Sequence, residues 1–143
     1  MKKILISDPT LRDGNHAVQH QISAEQIAAY CKAADIARIP IVEVGHGNGL
    51  GASSIQLGHS KVSDHKMIEV ARANLRVSKL GVFTIPGFGT IARDLKPAIE
   101  QGVDVVRVGS HCTEADTTAR HISFARESGK DAYGNLMMSH MAS

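Results

Sequence analysis

Aromatic residues make up 3% of this 143-residue chain, and tryptophan is absent. Its core must therefore be built from Ile, Val, Leu, Ala and Met. A dominant charge is also missing: 16 Lys and Arg stand against 14 Asp and Glu, a formal charge of +2. That is too near balance for a nucleic-acid surface. Basic residues are scattered, with no run longer than Lys2-Lys3. The two cysteines, Cys31 and Cys112, form no C-x-x-C and read as reduced, buried thiols of a cytoplasmic protein. No apolar run approaches the ~18 residues of a membrane span. The N-terminus begins with charges, as a signal peptide does. Its apolar stretch is only Ile4-Leu5-Ile6 before Asp8, so it reads as a first strand. Linkers, low-complexity tracts and charge blocks are lacking too, and residues 1–143 read as part of a single catalytic domain.

What is present is an alternation. Short, β-branched apolar runs occur at Ile4 to Ser7, Ile39 to Val44, Leu80 to Ile85, Val103 to Val108 and Leu136 to Met138. Such runs are the pattern of strands covered on both faces of a parallel sheet. Between them lie helix signals. Ser23-Ala-Glu-Gln26 fits a capping box, with Ile27, Tyr30, Cys31 and Ala34 on one face. Ser63 caps a stripe of Met67, Ile68, Ala71 and Leu75. Asp94 is placed to cap a short helix that tolerates Pro97 in its first turn and stops at Gly102. Thr113-Glu-Ala-Asp116 fits a second capping box, with Ala119, Ile122 and Ala125 buried and Gly129 as the stop.

Five strands and four helices in βα alternation predict an α/β fold with right-handed crossovers. Either an open doubly wound sheet or a (β/α)8 barrel fits. The first βα connection carries no G-x-G-x-x-G, which weakens the dinucleotide-binding version of the open sheet. A barrel needs ~250 residues, so the barrel reading makes this chain an N-terminal part of one, a partial TIM barrel.

Barrel active sites lie at the C-terminal strand ends, and there the polar residues gather. The first predicted strand runs into Asp8-Pro-Thr-Leu-Arg12-Asp13-Gly14-Asn15-His16, and the second into Glu43-Val-Gly-His46-Gly-Asn48. The third ends Ile85-Pro-Gly-Phe-Gly89, the fourth Arg107-Val-Gly-Ser110-His111, and the fifth Ser139-His140. Each has a plain structural alternative. A lone His at a strand end is commonly a satisfied structural residue, and Glu43 can pair with Arg107 for structure alone. Pro86-Gly-Phe-Gly89 is most simply a tight turn. Phe83, Ile85 and Phe88 suit either an apolar pocket wall or barrel packing. In the sharpest cluster, Arg12 offers a planar fork for a carboxylate or enolate. Asp13 offers a hard oxygen for Mg2+ or Mn2+, and His16 an acid or base near neutrality.

Asp8-Pro-Thr-Leu-Arg12-Asp13-Gly14 resembles the first-strand signature of the DRE-TIM metallolyases, the HMGL-like and pyruvate carboxyltransferase-like domains. Asn15-His16-Ala17 extends it to L-R-D-G-N-H-A, which is similar to the 4-hydroxy-2-oxovalerate aldolase branch. Three further segments match that branch: Glu43 to Gly51, Pro86 to Thr90, and Leu136 to Ser143. The resemblance covers essentially the whole chain. It implies a class II aldolase that releases pyruvate and acetaldehyde, or a longer aldehyde, in the breakdown of aromatic compounds. By the same resemblance Asp13 is a ligand of Mn2+ (Mg2+ or Co2+ as substitutes) and touches the substrate. Arg12 binds the keto acid and stabilises the enolate, and His16 takes the C4-hydroxyl proton. The family's H-x-H metal ligands, substrate-binding Ser and late Tyr have no match here; His59 and His65 sit in the second βα connection. The resemblance also implies an acylating acetaldehyde dehydrogenase partner. Two alternatives stay open: an acyl-CoA-dependent lyase or synthase of the same superfamily, and a non-catalytic half-barrel.

Overall fold

The computed structural model describes residues 4–142. Its strands are β1 (Ser7–Leu11), β2 (Ile41–Val44), β3 (Lys79–Thr84), β4 (Val105–His111) and β5 (Asp131–Met137). The α-helices are α1 (Ala24–Ile36), α2 (Asp64–Asn74), α3 (Lys96–Glu100) and α4 (Ala119–Glu127). All neighbouring strands pair parallel, in the order β1-β2-β3-β4-β5. A doubly wound sheet reverses its strand order at a switch point. This one advances in a single direction, as a barrel wall does. Among the described residues the sheet does not close, so β1 and β5 are its edges: a partial barrel.

Strand side chains alternate between faces, and polarity separates the two sets. Val42, Val44, Leu80, Val82, Val106 and Val108 join the core with Ile27, Cys31, Met67, Ile68, Leu95 and Ala125 from the helices. Truncating such a buried Leu to Ala typically costs about 2–5 kcal/mol. The other face carries Glu43, Phe83 and Arg107, with Glu43 beside Gly81 and Phe83 beside Arg107 in register. The helix layer is thus apolar packing, and the concave layer holds the chemistry.

Two expected helix starts hold. Ser23 forms the full capping box with Gln26, and the Ser63 side chain accepts from the Lys66 amide. Two differ. Thr90, not Asp94, caps the third helical stretch, which opens as a π-turn over Ile91–Leu95. Asp94 reaches back to accept from the Thr90 amide and hydroxyl, so it is the reciprocal partner of the cap. Thr113 caps nothing. The segment Cys112–Thr118 is a 3-10 turn broken at Glu114 (φ −128°, ψ 27°), and α4 starts only after it.

The outer strands also shift. The first was expected over Ile4 to Ser7, but Ile4 is 85% exposed, and pairing runs from Ser7 opposite Ile41 to Leu11 opposite Val44. The ladder with β2, rather than the apolar run, sets this strand. Pro9 is tolerated because it falls where the β1–β2 register breaks, between Asp8 and Leu11. The fifth strand was expected over Leu136 to Met138. It starts at Asp131, drawn into pairing along the whole of β4 from Val105 to His111.

Candidate active site

The chain leaves β1 through Arg12 into a 3-10 turn over Asp13–Val18. That turn is pinned to the end of β2, where the Asn15 amide donates to Gly45 O at 3.1 Å. Arg12 is 6% exposed and Glu43 2%. Arg12 Nε and Nη2 donate to Glu43 Oε2 at 3.3 and 3.2 Å, and Nη1 donates to Asp13 Oδ1 at 2.8 Å and Gly47 O at 3.2 Å. Four of the five guanidinium N–H groups are thereby fixed, and one Nη2 proton is left for a ligand. Ser7 Oγ completes the cradle by donating to Glu43 Oε1 at 3.0 Å.

Below this network lies Phe83. The Arg12 guanidinium stands 4.7 Å from the ring centre and that of Arg107 5.3 Å, within the range of cation–π attraction. Arg107 Nε also approaches Glu43 Oε1 to 3.0 Å, without the alignment of a hydrogen bond. One buried carboxylate therefore faces two guanidiniums. The ring fits because residue 109 is glycine: a Cβ there would sit 2.3 Å from Phe83 Cζ.

A cleft of about 360 Å³ opens above, lined in part by Arg12, Asp13, His16, Asn48, Arg107 and Asn135. The three residues singled out in the first loop thus share one cleft. The Asp13 side chain is 63% exposed, and only its Oδ1 takes part in a described hydrogen bond. His16 is exposed and lies against Gly47, where a Cβ would come 2.3 Å from its Nε2. Ile85 joins the wall, while Phe88 is exposed outside it. His111 and His140 are exposed and do not line the cleft, nor do His59 and His65. Strand register brings Phe83 and Asn135 here, and the loop after β2 brings Asn48.

His46 is fully buried behind the loop and stacks on His20, ring centres 3.7 Å apart. Burial, then the positive charge each neighbouring imidazole can carry, holds His20 below the usual histidine range. Burial likewise lowers His46. Elsewhere, burial pushes the Cys31 thiol up to about 12, and both cysteines are free.

Asp13 has the hard-oxygen chemistry of a divalent-cation ligand. Among the described residues, however, no three His, Cys, Asp or Glu side chains gather to hold a metal ion. Asp13 alone does not make a metal centre. No described helix is long and apolar enough to cross a membrane.

Comparison with known proteins gives the family and the fold. Residues 3–142 match the family described as HMGL-like. The chain is 62% identical over 97% of its length to 4-hydroxy-2-oxovalerate aldolase of Spirochaeta aurantia, spanning 41% of that protein. It is 60% identical over 99% of its length to the Pectobacterium atrosepticum protein of the same name, again spanning 41%. For Burkholderia pseudomallei the figures are 63%, 97% and 40%. The chain therefore spans about two-fifths of the curated relatives it matches. Among solved structures, the N-terminal domain of a Bacteroides vulgatus protein superposes with TM-score 0.78 at 22% identity, over 97% of this chain and 46% of that one. The carboxyl transferase domain of Rhizobium etli pyruvate carboxylase gives 0.72 at 15%, over 94% and 24%. At those identities the likeness is one of fold.

Proposed function

Because the chain belongs to the HMGL-like family, we propose that it carries the enolate-stabilising half of an aldolase site. The substrate would be a 4-hydroxy-2-oxo acid, such as 4-hydroxy-2-oxovalerate, and the products pyruvate and an aldehyde. One observation carries this reading. Arg12, clamped by Glu43 over Phe83, opens into the same cleft as Asp13 and His16. The names of the relatives support the substrate class.

Retro-aldol cleavage needs a base at the C4 hydroxyl and a fixed positive field where charge develops on the C2 oxygen. His16, exposed on the cleft wall, takes the hydroxyl proton. The C3–C4 bond breaks, C4 leaves as the aldehyde carbonyl, and the electron pair passes into the enolate. The remaining Arg12 N–H donates to the enolate oxygen. Arg12 needs no reorganisation to do so, because its other donors are already committed. Protonation at C3 gives pyruvate. Asp13 is the residue here that would hold the cation, Mn2+ with Mg2+ or Co2+ as substitutes, and a cation so bound supplies Lewis-acid polarisation of the 2-oxo group. The reading also includes a cytoplasmic setting, a role in aromatic-compound breakdown and an acylating acetaldehyde dehydrogenase as aldehyde acceptor.

The test is pyruvate release from 4-hydroxy-2-oxovalerate by the natural polypeptide carrying this sequence, with and without Mn2+. CoA-independent, Mn2+-stimulated release is expected. Turnover that needs an acyl-CoA would replace this reading with that of an acyl-CoA lyase or synthase.

A further inference from the structure

Behind the cleft, two imidazoles are committed to one stretch of backbone. The Gly47 N–H donates to His20 Nδ1 at 3.4 Å, and the next N–H, of Asn48, donates to His46 Nδ1 at 3.0 Å. Both Nδ1 atoms are acceptors, so each ring is neutral with its proton on Nε2. For His46 that proton points at Gly58 O, 3.1 Å away. The rings stack at an interplanar angle of 20°. Neither lines the cleft.

The backbone they hold is what the site leans on. Gly47 O accepts from Arg12 Nη1 at 3.2 Å. The Gly47 Cα lies under the His16 ring, leaving no room for a Cβ. Asn48 forms part of the cleft wall. The segment is turning sharply, with Gly45 at φ 140° and Gly49 at φ 93°. The Gly47 and Asn48 N–H groups meet no backbone carbonyl there, and the two imidazoles satisfy them instead. A pair kept for packing alone has no need of two acceptors on consecutive amides.

We propose that His20 and His46 are positioning residues: by accepting the Gly47 and Asn48 N–H groups they set the Gly47 peptide, and through it Arg12 and His16. Only the activity readout below rests on the aldolase reading. Adding a proton to either Nδ1 turns an acceptor into a donor facing an N–H, which releases the peptide. The groups that face the pair are His16, with ring centres 5.0 Å from His20 and 6.3 Å from His46, the Leu57 and Gly58 carbonyls, and Asp64, whose charge favours protonated His46. Burial outweighs these attractions for both rings.

Two measurements on the natural polypeptide decide the matter. In 15N spectra of the unmutated protein, both imidazoles should carry the proton on Nε2 at neutral pH. The Gly47 and Asn48 amide resonances should move as these rings protonate. Immobile amides, or a proton on either Nδ1 at neutral pH, overturn the proposal whether or not pyruvate is formed. In kinetics, His20→Phe keeps the ring but loses the acceptor, and kcat should fall ~10–100-fold with KM little changed, the scale of a misplaced catalytic group. His20→Asn returns an acceptor at the Nδ1 position that cannot be protonated. It should restore most of kcat and move the acid limb of the pH profile. Equal losses in both variants with an unmoved acid limb mean packing alone and overturn the proposal. If the unmutated protein releases no pyruvate, the aldolase reading fails, and the 15N result still judges this one.

Discussion

The Glu43 carboxylate grips Arg12 from the side, with one oxygen 3.3 Å from Nε and 3.2 Å from Nη2. That geometry, with Nη1 committed to Asp13 and Gly47, leaves one Nη2 proton free. Both partners are buried, so each depends on the other to offset desolvation. Glu43→Ala should cost about 3–5 kcal/mol, because it strips Arg12 and Arg107 of their shared buried carboxylate and leaves only the exposed Asp13 beside Arg12. The check is urea unfolding. A loss below ~1 kcal/mol, the level of an exposed ion pair, would show that the pair is not acting as a buried one.

Arg12→Lys should be nearly as damaging to turnover as Arg12→Ala. A lysine ammonium cannot hold Glu43, Asp13 and Gly47 at once and still present a donor. Steady-state kcat/KM for pyruvate release should fall ~100-fold or more, the scale of a lost charge-stabilising donor. A lysine variant within a factor of about three of wild type would argue for simple charge attraction.

His16→Ala should slow kcat by ~10²–10⁴-fold, the contribution of a positioned general base. Mn2+ affinity by titration calorimetry should stay near normal, since the proton acceptor is not the cation's ligand. Full activity in this variant would remove His16 from the mechanism.

Gly109→Ala tests the floor of the site. The new methyl meets the Phe83 ring at 2.3 Å, so the ring must tilt and both guanidiniums lose their seat. Overpacking of this kind costs about 1–3 kcal/mol, and kcat/KM should fall further than the stability loss explains. Thermal melts run beside the assay separate the two effects. Activity that tracks stability alone would make Phe83 a packing residue.

Stability should decline with acid in a defined window. His20 and His46 both titrate below the ordinary value of 6.5 in the folded protein. Between the folded and unfolded values the unfolded chain binds more protons, so stability rises with pH there. Their contribution is complete above pH 6.5 and drains away as pH falls toward the lowered values. Melting temperatures at pH 7.5 and 5.5 should differ more for the wild type than for His20→Phe. An equal difference would remove His20 from the acid response.

Much of this was legible in the sequence, for local reasons. β2, β3 and β4 are covered on both sides, so their apolar runs stand out. The edges β1 and β5 misled because their limits come from a neighbour's ladder. Ser23 and Ser63 were readable caps. Thr90 and Asp94 exchange roles because a reciprocal box looks alike from either end. Arg12, Asp13 and His16 are consecutive or nearly so, and one loop delivers them together. Phe83 under Arg12, Gly109 beside Phe83, and His20 on His46 are contacts across distant stretches. They follow from strand register and loop path, which no local pattern encodes.

Cys31 sits on the inner face of α1, fully buried, while Cys112 is partly open. The chain therefore carries its own two-mark gauge of opening. A thiol reagent should consume Cys112 promptly and reach Cys31 only when α1 lifts from the sheet. The lag between first and second equivalents then reads, in unlabelled and unmutated protein, how often the helix layer parts from the wall that holds the site.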